Sequence, residues 1–129
     1  MDAYTTHGAF SWSELMTKDA AAATQFYGPL LGWTFDTMNM PHGAYHVIKV
    51  GDTPVGGIMG PAPDAPPMPP AWGCYVTVSD VDATAARVGA LGGRVLVPPM
   101  DIPGVGRFTV IGDPQGAILN LITYAPRPG

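Results

Sequence analysis

Large side chains alternate with small ones from Phe10 to Met16. Phe10, Trp12, Glu14 and Met16 share one parity, and Ser11, Ser13 and Leu15 the other. A period of two predicts a strand with two distinct faces. The period then changes. Ala23, Phe26, Tyr27, Leu30 and Leu31 recur at three- and four-residue steps, which predicts a helix over Ala20–Leu31 with one apolar face. Asp19 stands where an N-cap belongs, because its carboxylate can accept from the unpaired amides of the first turn. Gly32 is the predicted stop, and Pro29, which removes a helical hydrogen bond, is expected to kink or loosen the last turn. Three apolar stretches follow, Trp33–Met38, Tyr45–Val50 and Val55–Met59, separated by turn residues.

The same order then returns. Trp72–Val78 reads as a strand, and Asp80 or Asp82 can cap a helix over Val81–Leu91 whose apolar face is Val81, Ala85, Val88 and Leu91. Gly92-Gly93 ends it, and Arg94–Val97, Arg107–Ile111 and Ala117–Ile122 follow. Asp19 and Asp82 lie 63 positions apart, and the turns Gly51-Asp52-Thr53-Pro54 and Gly112-Asp113-Pro114-Gln115 are offset by 61. Between the halves, six prolines fall from Pro61 to Pro70. Such a run donates no ladder hydrogen bonds and favours extended geometry, so it reads as a semi-rigid linker.

Each half is therefore strand, helix, strand, strand, strand. One such unit is too small to bury both its helix-facing and its open sheet faces, so two are expected to pair. The predicted fold class is α+β: two βαβββ modules forming a cupped mixed sheet with flanking helices. Residues 1–129 make one domain, with module one over 8–60, the linker over 61–70 and module two over 71–124. The open strand edges need cover, so a homodimer is expected.

Composition narrows the function. Of 129 residues, 47% are hydrophobic and 12% charged, which describes a packed domain and not a disordered tail. Six Lys and Arg under a net charge of -4 argue against a nucleic-acid partner. One cysteine permits no disulfide within the chain and fits a reducing compartment. No apolar run is long enough to span a bilayer, and Met1-Asp2-Ala3-Tyr4 lacks the basic and apolar regions of a secretory signal. A cytoplasmic protein with no membrane partner is expected.

The order and spacing of several segments resemble the vicinal oxygen chelate superfamily, which holds glyoxalase I enzymes, extradiol dioxygenases, and bleomycin- and fosfomycin-resistance proteins. These are Trp12-Ser13-Glu14-Leu15-Met16-Thr17-Lys18-Asp19, Gln25-Phe26-Tyr27 with Leu31-Gly32-Trp33, Val76-Thr77-Val78-Ser79-Asp80-Val81-Asp82, and Gly112-Asp113-Pro114-Gln115-Gly116. The first half is most similar to the glyoxalase-like, bleomycin-resistance-like branch. Metal-dependent members place ligands on the concave faces of four strands. The resemblance maps those ligands to Trp12, Gly73, Asn120 and the Gly56-Gly57 pair. An indole donates only N–H, glycine has no side chain, and a neutral amide replaces Glu poorly. The metal ligands are therefore expected to be absent, and no cofactor is expected.

Other candidates are weaker. His42 and His46 are four apart, but Pro41 and Gly43 make the first a turn residue, so the spacing loses its helical meaning. His7 also falls at no mapped ligand position. Cys74 shares a parity with Val76 and Val78 and is expected to be buried and unreactive. Gly104-Val105-Gly106 lacks the lysine and helix of a phosphate loop, and Gly56-Gly57 marks a bulge or a close backbone approach. No order of Ser, His and Asp points to a nucleophile, and no catalytic residue is assigned.

Glu14 shares a strand face with Phe10, Trp12 and Met16. In an apolar cup its pKa would rise, making it a base or an anchor for a cationic ligand; otherwise it pairs with an arginine or projects to the rim. By analogy with the family, Trp12, Trp72, Tyr75, Thr77 and Asn120 fall on or near the concave surface. Trp12, Trp72 and Tyr75 would supply walls for an apolar or planar small molecule, oriented by Glu14 and Asn120. The leading expectation is a metal-free small-molecule-binding protein. One alternative is a lyase, isomerase or dioxygenase with a divergent metal site that recruits Glu14, His46 or a water. Another is a structural or interaction module whose cup is filled by its own side chains.

Overall fold

The computed structural model of the protein describes residues 1–40, 43–61 and 68–126. His42 and residues 62–67 of the expected linker lie outside the described residues. The described elements are β1 (Phe10–Met16), α1 (Ala20–Leu31), β2 (Thr34–Met40), β3 (Gly43–Val50), β4 (Thr53–Met59), β5 (Ala71–Thr77), α2 (Val81–Val88), a 3-10 turn (Gly89–Leu91), β6 (Arg94–Ile102), β7 (Gly106–Gly112) and β8 (Ile118–Tyr124). The fold class is α+β, in two βαβββ modules. No helix among the described residues is long and apolar enough to cross a membrane.

The chain divides into two compact units. The first is residues 12–73, and the second is residues 1–11 with 74–129. In the first unit β1 pairs parallel with β4, β4 antiparallel with β3, and β3 antiparallel with β2. Alternation separates the two faces of this sheet. Leu15, Ile48 and Ile58 are buried beneath α1, where Ala20, Ala23, Tyr27, Trp33 and Phe35 pack on them. Burial of each of the three aliphatic side chains stabilises by about 1.5–3 kcal/mol.

Asp19 caps α1, accepting from the Ala22 amide at 3.0 Å, and Gly32 ends it in the left-handed conformation at φ 73°. Pro29 sits in the last turn, and the helix runs through it unbroken to Leu31. The apolar face of α1 is narrower than its periodicity predicts. Ala23 and Tyr27 face the sheet, but Phe26 and Leu30 are 61% and 62% exposed. The i, i+3, i+7 stripe of Ala20, Ala23 and Tyr27 covers the core, and Phe26 projects about a quarter-turn away from it.

The second unit repeats the arrangement. β5 pairs parallel with β8, β8 antiparallel with β7, and β7 antiparallel with β6. Val76, Val78, Val81 and Leu121 form its core, with Ile111 and Leu119 packed alongside. Of the two possible caps, Asp80 is the one used: it accepts from the Ala83 amide at 3.1 Å. Asp82 turns instead to Arg107, which donates to it from Nε at 2.8 Å and from Nη2 at 3.0 Å. Asp19 and Asp80 are 61 positions apart, so cap and Gly-Asp turn repeat with one spacing.

The second helix is shorter than expected. It loses α geometry after Val88 and tightens into the 3-10 turn Gly89–Leu91. β6 is longer than expected and runs through Pro98 and Pro99. Its ladder with β7 shifts register between Val97 and Met100, so the two prolines need not donate.

Candidate functional site

The open face of the first unit, the one turned away from α1, carries the most chemistry. Strand register builds it in rows. Met16, Met59, Tyr45 and Met38 lie side by side across β1, β4, β3 and β2. The next row is Glu14, Gly57, Val47 and Asp36. Trp12 precedes Glu14 by two residues on the same face of β1, and Lys49 closes on Asp36 at 3.3 Å near the sheet edge.

Tyr45 ties this face together. Its hydroxyl donates to Glu14 Oε2 at 2.9 Å and accepts from Trp12 Nε1–H at 3.0 Å. To reach them the phenol crosses β4 diagonally over Gly57, and a Cβ added at Gly57 would overlap the ring. The glycine is therefore required by close approach, since its backbone is not in the left-handed region. Trp12, Glu14 and Tyr45 are all half-buried. A half-buried carboxylate, phenol and indole N–H in one hydrogen-bonded chain can orient a ligand or relay a proton.

The other expected wall residues go elsewhere. Trp72 does not join Trp12. Its ring meets Tyr27 at 5.5 Å and Trp33 at 6.1 Å between centroids, and its Nε1–H donates to the Tyr27 hydroxyl at 3.3 Å. Tyr27 and Trp33 pack on the core beneath α1, so Trp72 belongs to the helix side of the first unit. An aromatic cluster there offers Trp72 more apolar contact than an open strand end does. Tyr75 and Asn120 belong to the second unit. They are register partners on β5 and β8 and face away from α2, with Tyr75 buried and Asn120 half-buried. Thr77 lies on the same face as Tyr75.

A metal centre built on the family positions does not fit these residues. The Trp12 N–H is committed to Tyr45, and the Tyr45 phenol fills the space above Gly57 where a ligand side chain would sit. Gly73 has no donor, and Asn120 is a neutral amide. Glu14 and His46, each a candidate for a divergent metal site, lie on opposite faces of the sheet. His46 is paired with Ile58 on the helix side, whereas Glu14 is paired with Gly57 on the open face. His46 Nδ1 is 2.9 Å from Thr37 Oγ1 across β2 and β3, which makes it a strand-pairing histidine.

Cys74 is also corrected: it is exposed, not buried. The paired stretch of β5 and β8 starts at Tyr75 and the buried cluster starts at Val76, so Cys74 precedes both. In the second unit an open recess of about 520 Å3 lies at the β6–β7 hairpin, lined among others by Ile102, Arg107, Thr123 and Tyr124. Arg107 donates there to Asp82 and, at 3.2 Å, to Asp101. These carboxylates hold the guanidinium above the ordinary arginine range, and Arg107 holds the Asp82 carboxyl below the usual 3.8.

Tyr45 is the site residue that sequence reasoning missed. Its signal was indirect. Gly56-Gly57 marked a close approach, and alternation from Tyr45 to Val47 placed a large side chain on the strand opposite.

Two modules of one topology, each pairing a helix-covered sheet face with an open one, define a βαβββ-repeat protein. The chain belongs to the Glyoxalase/Bleomycin resistance protein/Dioxygenase superfamily, whose family model matches residues 9–121. It is 45% identical over 121 residues to the Mycobacterium tuberculosis protein CFP32, which is named as a glyoxylase; the match covers 93% of this chain and 46% of that protein. It is 37% identical over 123 residues to the anthracycline biosynthesis protein DnrV of Streptomyces peucetius, covering 85% of this chain and 45% of that one. The chain thus spans about half the length of the curated relatives it matches. Among solved structures, methylmalonyl-CoA epimerase from Mycobacterium tuberculosis matches with a TM-score of 0.68 at 20% identity, over 92% of this chain and 89% of that one. A variant of homoprotocatechuate 2,3-dioxygenase from B. fuscum matches with a TM-score of 0.64 at 15% identity, over 100% of this chain and 36% of that one. At these identities the likeness shows the fold.

Proposed function

We propose that this chain is a metal-free small-molecule-binding member of its superfamily, taking a flat, largely apolar ligand on the open face of the first unit. The observation that carries the reading is the bridge from Trp12 through Tyr45 to Glu14 over Gly57. It supplies a flat indole and a fixed carboxylate and phenol, while using up positions at which metal-dependent relatives hold ligands. The row of Met16, Met59 and Met38 adds polarizable thioethers, which favour aromatic rings. The likeness to an anthracycline biosynthesis protein supports a fused-ring aromatic as the ligand class. Tyr75 and Asn120, on the open face of the second unit, are candidate contacts for that unit alone. The exposed Phe26 and Leu30 on α1 support the expected second copy as a partner.

A second reading has one observation in its favour. A carboxylate and a phenol 2.9 Å apart on an open face can serve as a proton-transfer pair, which would make the chain an isomerase or lyase acting without metal.

The test titrates a hydroxyanthraquinone into the protein and follows tryptophan fluorescence and amide shifts. Saturable binding is expected, with shifts at Trp12, Glu14 and Tyr45. Trp12→Ala is expected to weaken it at least tenfold while leaving the fold intact. Binding unchanged in Trp12→Ala, or absent in the parent, would remove this reading. Equilibration with nickel, zinc, manganese and ferrous iron, followed by desalting, checks the other half. Stoichiometric retention of any of them would overturn the metal-free assignment.

A further inference from the structure

The second unit has an occupant of its own. Residues 2–8 fold into a compact turn, with Asp2 accepting from the Tyr4 amide at 2.9 Å through its carboxylate and from the Thr6 hydroxyl at 2.7 Å through its carbonyl. This turn lies against the end of β5. Thr77 Oγ1 donates to the Ala3 carbonyl at 2.6 Å, and the Tyr4 ring sits edge-on to Tyr124 at 5.0 Å. The Gly8 amide donates to the Thr77 carbonyl at 2.7 Å, and the Ser79 amide donates to His7 Nδ1 at 2.9 Å. Thr77 and Tyr124 share the face turned away from α2, with Ile122 between them.

Holder and held differ in burial. None of residues 1–9 is buried, so little apolar surface anchors the turn. Segments held in this way open at a small fraction of the global unfolding cost. Beneath it Thr77 is only 3% exposed, and Tyr75, two residues back on the same face, is 7% exposed. Opening would present a hydroxyl donor at Thr77 and an aromatic ring at Tyr124.

We propose that residues 2–8 are a displaceable strap over a second ligand site on this unit, a site for an aromatic compound that bears a carbonyl acceptor. The strap itself displays that chemistry. Its Ala3 carbonyl meets the Thr77 donor, and its Tyr4 ring, one residue on, meets Tyr124. A competitor needs the same two groups at the same short separation. The site is independent of the one on the first unit, since it uses none of the same residues.

N-acetyl-L-tyrosinamide is the probe, with N-acetyl-L-alaninamide as its ring-less control. Tyr4→Ala removes the ring contact, and His7→Ala separately releases the far end of the strap. In either variant, amide exchange at Gly8 and Ser79 is expected to rise at least tenfold with Ile58 unchanged. The tyrosine probe is expected to bind at least tenfold tighter than to the parent, shifting the Thr77 and Tyr124 resonances. Adding Thr77→Val is expected to abolish that gain. No gain in either variant, an equal gain for the alanine control, or persistence of the gain in Thr77→Val would overturn the proposal.

Discussion

The Tyr45 hydroxyl lies 2.9 Å from the Glu14 carboxylate because the phenol crosses the intervening strand over a residue with no side chain. That residue is Gly57, the register partner of Glu14. Gly57→Ala is expected to push the phenol aside and to cost about 1–3 kcal/mol, the usual range for overpacking. In a Tyr45→Ala background the same substitution is expected to cost less, because the atoms it would strike are gone. Urea denaturation of the four proteins of this cycle gives the coupling, and strict additivity would refute the crossing.

The aliphatic core of the first unit sets a different scale. Ile58 is wholly buried between Leu15 and Ile48 beneath α1. Ile58→Ala is expected to lose about 2–5 kcal/mol, from lost transfer energy and the cavity left behind. A shift of the denaturation midpoint below that range would mean that the core under α1 relaxes freely.

Two aspartates two residues apart are expected to behave differently. Asp80→Ala removes the α2 cap and is expected to cost about 1 kcal/mol at neutral pH. Asp82 works through Arg107, whose hydrogen bond holds its carboxyl below the ordinary 3.8. A carboxyl lowered on folding favours the folded state above its unfolded value and loses that contribution as pH falls through the folded one. The stability difference between the parent and Asp82→Asn is therefore expected to be level above about pH 5 and to shrink below about pH 3.8. Denaturation midpoints from pH 2.5 to 6 would show it, and a difference that grows on acidification would contradict it.

Cys74 is exposed midway along β5, just ahead of the buried cluster. It is expected to react with a thiol-titrating disulfide reagent without denaturant. Cys74→Ser is expected to change stability by less than about 0.5 kcal/mol. Reaction only after unfolding would return Cys74 to the core.

Local patterning carried much of this protein. The span Ala20–Leu31, the cap at Asp19 and the stop at Gly32 are short-range matters, decided by periodicity and by which side chain can reach an unpaired amide. The repeat of two βαβββ modules, and with it the fold class and family, is legible for the same reason. Strand alternation also puts Trp12 and Glu14 on one face.

What alternation could not supply was register between strands, which depends on contacts far apart in the chain. Register put His46 on the helix side, opposite to Glu14, and laid Tyr45 across Gly57. Packing sent Trp72 to Tyr27 and Trp33, since an indole gains more from two aromatic neighbours than from an open strand end. The choice between Asp80 and Asp82 depended on where β7 brought Arg107, and the exposure of Cys74 on where the core of the second unit begins. Residue order alone determined the succession of elements and the cap and stop of α1. Only the tertiary structure decided which side chains meet, because such meetings are fixed by strand register and by competition for buried space.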